Sequence, residues 1–372
     1  MTQYLFIIGA TGKVGSTLVR QIYQNKDDDY LIHKNPTRIV GLASSSSYLF
    51  FRDCLDRKSC EAFSRKEIFG KAYKGPFDFF VAAKEAGFGY EKKLIFVDVT
   101  ASREMTSFHL RVAEEPQMGM VTANKNPITL SGYDIFRKLT SDVSSYGYRC
   151  SVMAGAEAVS LLQDLRDVND APSEISGCFS GTLGYICSEM EKGSALSAII
   201  GDARDKGYTE PHPRDDLNGL DVARKLLTLA RTAGYPANLT DVKVEPFIPE
   251  GYLAEDDVDK FIRKTSELND HFRGKVQAAA QKGNVLRYVA RLARGSKLSL
   301  SVRLEEVPRE SPLGLLKGTA NKITVVSKIY PKGLPYVVEA PGAGLMVTAQ
   351  NIRRDLLYQL SSRKANPPLS QS

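Results

Sequence analysis

Asp221 and Lys225 stand four residues apart, so on a helix a carboxylate and an ammonium share one face. They close the stretch YTEPHPRDDLNGLDVARK, residues 208–225, which sets four acids, two arginines and a lysine around two prolines. Leu217, Leu220, Val222, Leu226, Leu227 and Leu229 surround the pair. A solvated pair at this spacing would be worth only about 0.3 kcal/mol. The other reading is a polar stripe on an otherwise buried helix, turned toward a cleft, and the apolar positions favour it. A lysine in a cleft can act as an acid or base, or polarise a carbonyl, and needs acids to hold it. Pro211 and Pro213 stiffen the approach and can aim Glu210 at the same cleft.

A second set of residues suits phosphate. Gly9, Gly12 and Gly15 follow the apolar run YLFII and precede Val14, Leu18, Val19 and Ile22, which have the spacing of one helical face. Such a turn lets a pyrophosphate approach the backbone N–H groups that open a helix. Gly9, Thr11, Gly12, Lys13, Val14 and Gly15 are the candidate cofactor contacts. The spacing has one residue more than the usual dinucleotide fingerprint, and a purely structural turn is the alternative. An NAD-preferring site carries an acid where the second strand ends. Here RIVGLAS, residues 38–44, ends in Ser44 and three further serines, with Arg52 beyond. Serine hydroxyls and Arg52 could take a 2′-phosphate, so NADP or NAD is expected, with NADP favoured. Equally, the serines could cap the next helix.

These groups need a scaffold. Apolar strands are expected at 4–8, 38–44, 93–100 and 118–125, alternating with helical stretches, which implies a parallel sheet. After about Gly147 the pattern changes. Helices are expected at 194–208, stopped by Gly207, and at 217–236, stopped by Gly234 and Pro236. Residues 251–282 read as helical, and 285–339 as antiparallel strands. A glycine turn and helix follow. The fold class is thus α/β: a Rossmann-type parallel-sheet nucleotide-binding domain (1–150, joined by a helix at about 342–362) plus an α+β catalytic and dimerisation domain (151–341). Residues 363–372 read as a flexible tail.

The 372 residues are 42% apolar and 25% charged, the balance of a soluble globular protein, and no apolar run can span a bilayer. A membrane partner is therefore not expected, and the cytoplasm is the default location. The formal charge of +7 is spread along the chain without a basic block, which disfavours nucleic acid. The five cysteines show no close CxxC pair and no neighbouring histidine, which disfavours a disulfide framework, a cysteine zinc site and a thiol nucleophile.

The stretch 208–225 closely resembles the signature of homoserine dehydrogenase. FSGTLGYI (179–186), VTANKNP (121–127), GNVLRYV (283–289), LKGTANKI (316–323) and GAGLMVTA (342–349) resemble further segments of that family, in order. The chain looks most similar to the dehydrogenase half of bifunctional aspartokinase–homoserine dehydrogenases. The resemblance implies NAD(P)-dependent interconversion of L-aspartate 4-semialdehyde, a small-molecule substrate, and L-homoserine, in threonine, methionine and isoleucine biosynthesis. It implies Lys225 as proton donor, Lys125 between substrate and nicotinamide, Asp221 working with both lysines, and Glu210 on the substrate ammonium. Thr100, Gly207 and Gly342 would lie near the cofactor, as Ser44 would by its place at the end of the second strand, and a homodimer is implied. The rivals are a silent dinucleotide-binding sensor and aspartate-semialdehyde dehydrogenase, which needs a nucleophilic cysteine.

Some positions depart from the family pattern. His212 stands where an acid is usual and is expected at the surface. Met153 and Glu157 replace a glycine and a proline in a segment that wraps an alkali-metal ion. Arg149 takes the place of that segment's acid. A guanidinium cannot ligate a cation but can replace its charge, so no metal is expected.

Overall fold

A computed structural model describes residues 2–33, 36–89 and 92–361. The expected tail, 363–372, lies outside the described residues. The chain divides into two compact units, one running to Gly155 and resuming at Gly344, the other spanning Ala156–Ala343.

In the first unit, β1 (Gln3–Ile8) leads through the glycine turn into α1 (Lys13–Gln24). There follow β2 (Thr37–Ala43), β3 (Ser47–Phe50), α2 (Arg57–Ser64), β4 (Lys71–Ala72), α3 (Phe77–Glu85) and β5 (Leu94–Asp98). Then come α4 (Thr106–Ala113), β6 (Met118–Thr122), α5 (Asn126–Thr129), α6 (Tyr133–Thr140) and β7 (Tyr146–Gly147). The sheet order is β4-β3-β2-β1-β5-β6-β7. Strands β2, β1, β5, β6 and β7 are parallel. Chain order reverses at β1, so the crevice beyond its carboxyl end is the ligand position of an open parallel sheet. The register is tight there: Ile8 pairs with Ala43 and with Asp98, and Asp98 with Thr122. Phe6 stacks on Phe79 and packs at a tilt against Phe96, which meets Phe108 edge-on.

Two details differ from the sequence expectation. The strands at 93–100 and 118–125 stop earlier, at Asp98 and Thr122, because polar side chains capture the backbone there. The serines after β2 cap no helix. They close a hairpin: the Ser44 hydroxyl accepts from the N–H groups of Ser46 and Ser47, and β3 returns antiparallel to β2.

The second unit opens with α7 (Ala158–Asp167), β8 (Glu174–Cys178), α8 (Gly181–Met190), α9 (Leu196–Asp205), α10 (Arg214–Leu217) and α11 (Leu220–Thr232). It continues with β9 (Val242–Val244), α12 (Val258–Lys264), α13 (Asn269–Gln281), β10 (Asn284–Arg294), β11 (Leu298–Pro308), β12 (Ala320–Val326) and β13 (Tyr336–Pro341). Its sheet order is β13-β12-β8-β10-β11-β9, antiparallel except for β9 beside β11. Gly207 (φ +69°) and Gly234 (φ +92°) adopt the left-handed conformation after α9 and α11, as helix-stopping glycines do. The 251–282 stretch is helical as expected, carried by α12 and α13 joined through a 3-10 turn at Thr265–Leu268.

The last helix, α14 (Leu345–Ser361), belongs to the first unit. Gln21 donates to Met346 O at 2.9 Å, Gln3 to Leu356 O at 3.0 Å, and Gln359 to Met120 O at 2.7 Å. Arg353 pairs with Asp27 at 2.6 Å.

Candidate active site

In the first unit, the carboxyl edge of the parallel sheet gathers most of the predicted nucleotide residues. The N–H groups of Gly9 and Ala10 both donate to Ala43 O at 2.9 Å, drawing the turn over the end of β2. Gly9 has φ +88°, and a Cβ on Gly15 would stand 2.2 Å from Gly9 O. Only glycine fits that approach. Gly12 caps α1 with no side chain, so the first N–H groups of the helix stay open to an anion, flanked by Thr11, Lys13 and Val14. The Thr100 methyl lies 3.1 Å from where a Gly9 Cβ would sit. The residues present thus fit a dinucleotide pyrophosphate.

At the end of β2 the Ser44 hydroxyl is engaged within the hairpin, donating to Ser47 O at 3.0 Å. Ser45 and Ser46 are the exposed hydroxyls. Arg52 is not beside them. Phe50 pairs with Gly41, and Phe51 N–H donates to Val40 O. The returning strand therefore carries Arg52 toward the opposite end of β2, about 10 Å back at some 3.3 Å per residue. Its guanidinium lies about 4.0 Å from where a Cβ on Gly87 would stand.

Lys125 follows β6, between two buried asparagines. Asn124 donates to Asp98 Oδ2 at 3.0 Å and to Ser102 O at 2.8 Å, and Asn126 donates to Ala101 O at 3.0 Å. Asp98 and Asn124 went unnoticed in the sequence. The available signal was a polar residue closing each of two apolar strands, where a parallel sheet presents its ligand-facing ends.

In the second unit, α11 puts Asp221 and Lys225 on one face as their spacing requires. Lys225 Nζ lies 2.8 Å from Asp221 Oδ2 and donates to Phe179 O at 2.6 Å. The lysine side chain is 13% exposed and the aspartate 43%, so the pair sits at the rim of the protein and is no freely solvated ion pair. Phe179 O belongs to the turn that starts α8, where Ser180 accepts from Leu183 N–H.

Glu210 is exposed. Its backbone N–H donates to Asp216 Oδ2 at 2.8 Å. Asp216 Oδ1 also lies 2.9 Å from Thr182 Oγ1, which in turn lies 2.6 Å from Tyr208 O. Burial, with a lesser push from the charges of Glu210 and Asp221, raises the Asp216 carboxyl from 3.8 to about 6. The Thr182 hydroxyl has one proton and two acceptors, so a protonated Asp216 completes the chain by donating to it. Asp216 thus ties the Glu210 loop to α8.

His212 is not the surface residue expected. Its ring packs edge-on against Phe261 at 5.0 Å, Nδ1 accepts from Arg214 N–H at 3.2 Å, and Nε2 is buried without a partner. Gly207 and Gly342 both need glycine for local reasons. Gly207 ends α9, and a Cβ on Gly342 would lie 2.1 Å from Asn321 Cγ.

Arg149 does not point to solvent. Its Nε lies 3.4 Å from Asp355 Oδ1, and its guanidinium stacks 4.7 Å from the Tyr358 ring. The Val152 and Ala154 carbonyls already accept from Gly155 N–H (3.1 Å) and Asn351 Nδ2 (2.8 Å). Among the described residues no cluster of three His, Cys, Asp or Glu side chains could hold a metal ion.

Cys60, Cys150, Cys178 and Cys187 are buried. Burial pushes the thiols of Cys60, Cys178 and Cys187 up to about 12. A thiolate nucleophile at any of these would be costly, and Cys54 is the one partly exposed cysteine.

These features define an α/β protein with a Rossmann-type unit and a second unit that carries a lysine–carboxylate cluster. The homoserine dehydrogenase family model matches residues 158–357. Homoserine dehydrogenase of Saccharomyces cerevisiae is 32% identical over 274 residues, covering 72% of this chain and 75% of its own. The bifunctional aspartokinase/homoserine dehydrogenase of Buchnera aphidicola is 33% identical over 373 residues, covering 97% of this chain. This chain spans 43% of that relative's length. A hyperthermophilic archaeal homoserine dehydrogenase solved in complex with NADPH shares the fold, with a TM-score of 0.72 at 19% identity over 97% of this chain and 98% of its own. The chain belongs to the homoserine dehydrogenase family.

Proposed function

We propose that the chain interconverts L-aspartate 4-semialdehyde and L-homoserine with NADP or NAD. The observation that carries this reading is the held lysine: Lys225 Nζ bridges Asp221 Oδ2 at 2.8 Å and Phe179 O at 2.6 Å. A bound nicotinamide supplies or takes the hydride at the carbon that is aldehyde in one substrate and alcohol in the other. As hydride adds, negative charge grows on the aldehyde oxygen, and the Lys225 ammonium meets it and gives the proton. Asp221 keeps Nζ in place. Glu210 holds the substrate ammonium with an exposed carboxylate. Lys125 would meet the nicotinamide, and Gly9, Gly12 and Gly15 would hold the pyrophosphate at the start of α1.

NADP is taken as the favoured cofactor because no acid closes β2 and Ser45 and Ser46 expose hydroxyls there. A cytoplasmic homodimer without nucleic-acid or membrane partners completes the proposal. The edge strand β13 supports self-association, since it exposes Tyr336 and Val337, and among the described residues no helix is long and apolar enough to cross a membrane. Purified protein given L-homoserine and NADP+ or NAD+ is expected to raise the absorbance of reduced nicotinamide. Folded wild-type protein inert with both cofactors would sink the reading.

A further inference from the structure

We propose that Asp98 is a positioning residue for Lys125, acting through Asn124; the inference rests on the role given to Lys125 above. Asp98 is fully buried at the end of β5. Its Oδ1 accepts from the Thr100 N–H at 2.9 Å and from the Thr100 hydroxyl at 2.8 Å. Its Oδ2 accepts from Asn124 Nδ2 at 3.0 Å and lies 3.1 Å from His109 Nε2, whose Nδ1 lies 2.7 Å from the Tyr146 hydroxyl. Asn124 passes the restraint forward: its Oδ1 accepts from the Asn126 N–H at 3.1 Å. Lys125 is the residue between these two. One carboxylate therefore fixes both Thr100, beside the glycine turn, and the backbone that presents Lys125.

The direction of the hydrogen bonds makes this testable. In Asp98→Asn, an oxygen kept against Thr100 leaves an NH2 group facing the NH2 of Asn124. Turning the Asn124 amide over relieves that clash only by facing NH2 toward the Asn126 N–H. In Asn124→Asp, two buried carboxylates meet at the same contact. The double swap restores one donor and one acceptor there and still offers an oxygen to Asn126 N–H. Ser102 O keeps a donor, since Asn126 Nδ2 also reaches it at 3.2 Å. His109 adapts by changing tautomer, accepting at Nε2 and donating at Nδ1.

The test is a double-mutant cycle on kcat for homoserine oxidation, with KM for homoserine and thermal midpoint measured alongside. Each single variant is expected to lose at least about tenfold in kcat while KM changes less than twofold. The double variant is expected to return to within about threefold of wild type. A single Asp98→Asn variant with wild-type kcat overturns the inference, as does a folded double variant no faster than the slower single one. If the double variant does not fold, Asn124→Ala serves, because it removes the link without adding charge. A wild-type kcat in that variant overturns the inference, and a tenfold fall at unchanged KM supports it. Inactive wild-type protein would instead refute the proposed function itself.

Discussion

The carboxylate of Asp216 accepts the backbone N–H of Glu210 at 2.8 Å, so an exposed acid is anchored by a half-buried one. With Asp216 ionised, that bond is charge-assisted and the loop that offers Glu210 is held. With Asp216 protonated, its hydroxyl turns to Thr182 and the hold weakens. The groups around it are Glu210 and Tyr208 O on the preceding loop, Thr182 on α8, Asp221 on α11, and Arg214 and Asp215 on its own helix. Arg214 is occupied by Asp256 at 2.6 Å. The free-enzyme profile, kcat/KM for homoserine, is therefore expected to fall below about pH 6 in wild type. Asp216→Asn is expected to lower the plateau and lose that limb. A profile unchanged in the variant would remove Asp216 from the site.

The same carboxyl makes a stability prediction of opposite sign to its activity. Its folded pKa lies above the ordinary value, so its contribution is fully present below about pH 3.8 and is lost as pH rises through about 6. The rise corresponds to at most about 3 kcal/mol, less some relief from partial exposure. At pH 7.5 Asp216→Asn is expected to melt no lower than wild type, and wild type should gain on the variant as pH falls from 7 to 5. Thermal melts at three pH values decide this. A variant that melts several degrees lower at every pH would contradict it.

Lys225→Ala and Asp221→Ala are each expected to cost roughly a hundredfold or more in turnover, the usual scale of acid–base assistance. Removing Asp221 leaves Nζ with Phe179 O, so the lysine remains but is free to swing. Steady-state kinetics on both variants, with melting curves for folding, check this. Near-normal turnover in either would take that residue out of the mechanism.

How much of this was legible in the sequence depended on distance along the chain. Asp221 with Lys225, and the glycine turn with α1, are local patterns whose geometry follows from one helix or one turn. The union of Asp216 with Thr182 joins residues 34 apart, and that of Asp98 with Asn124 joins residues 26 apart. No periodicity reports such contacts, because the packing of two strands or two helices makes them. Arg52 misled for a related reason. Its nearness to Ser44 in sequence is undone by the β2–β3 hairpin, and Ser44–Ser47 contain neither the glycine nor the proline that usually marks such a turn. His212 misled because Phe261, distant in sequence, covers it.

Gly15 and Gly207 should respond very differently to alanine. At Gly15 a Cβ would meet the Gly9 carbonyl at 2.2 Å and Ala10 Cα at 2.7 Å. Both are backbone atoms, so the turn itself must move. Gly15→Ala is expected to lose about 1–3 kcal/mol of stability and to weaken NADPH binding at least about tenfold, since the turn carries the phosphate-facing N–H groups. At Gly207 nothing lies within 4 Å of a Cβ, and only φ of +69° opposes alanine. The cost there is about 1–2 kcal/mol, with a loss of NADPH affinity well below that of Gly15→Ala, because no backbone atom is displaced. Cofactor titration of both variants checks the contrast, and equal losses of affinity would refute it.

Arg149 and Asp355 allow the idea of a replaced cation to be tried directly. Asp355 is 2% exposed and pairs with Arg149 at 3.4 Å. Removing the guanidinium takes a counter-charge from a buried carboxylate, a change expected to cost up to about 3 kcal/mol. If the guanidinium does supply the charge that an alkali ion would bring, Arg149→Ala opens a place where such an ion stabilises the fold. The variant is then expected to melt several degrees higher in sodium or potassium chloride than in tetramethylammonium chloride at equal ionic strength. Wild type is expected to melt alike in all three, because its charge is covalently in place. Identical melting of the variant in the three salts would show that Arg149 balances Asp355 without standing in for an ion.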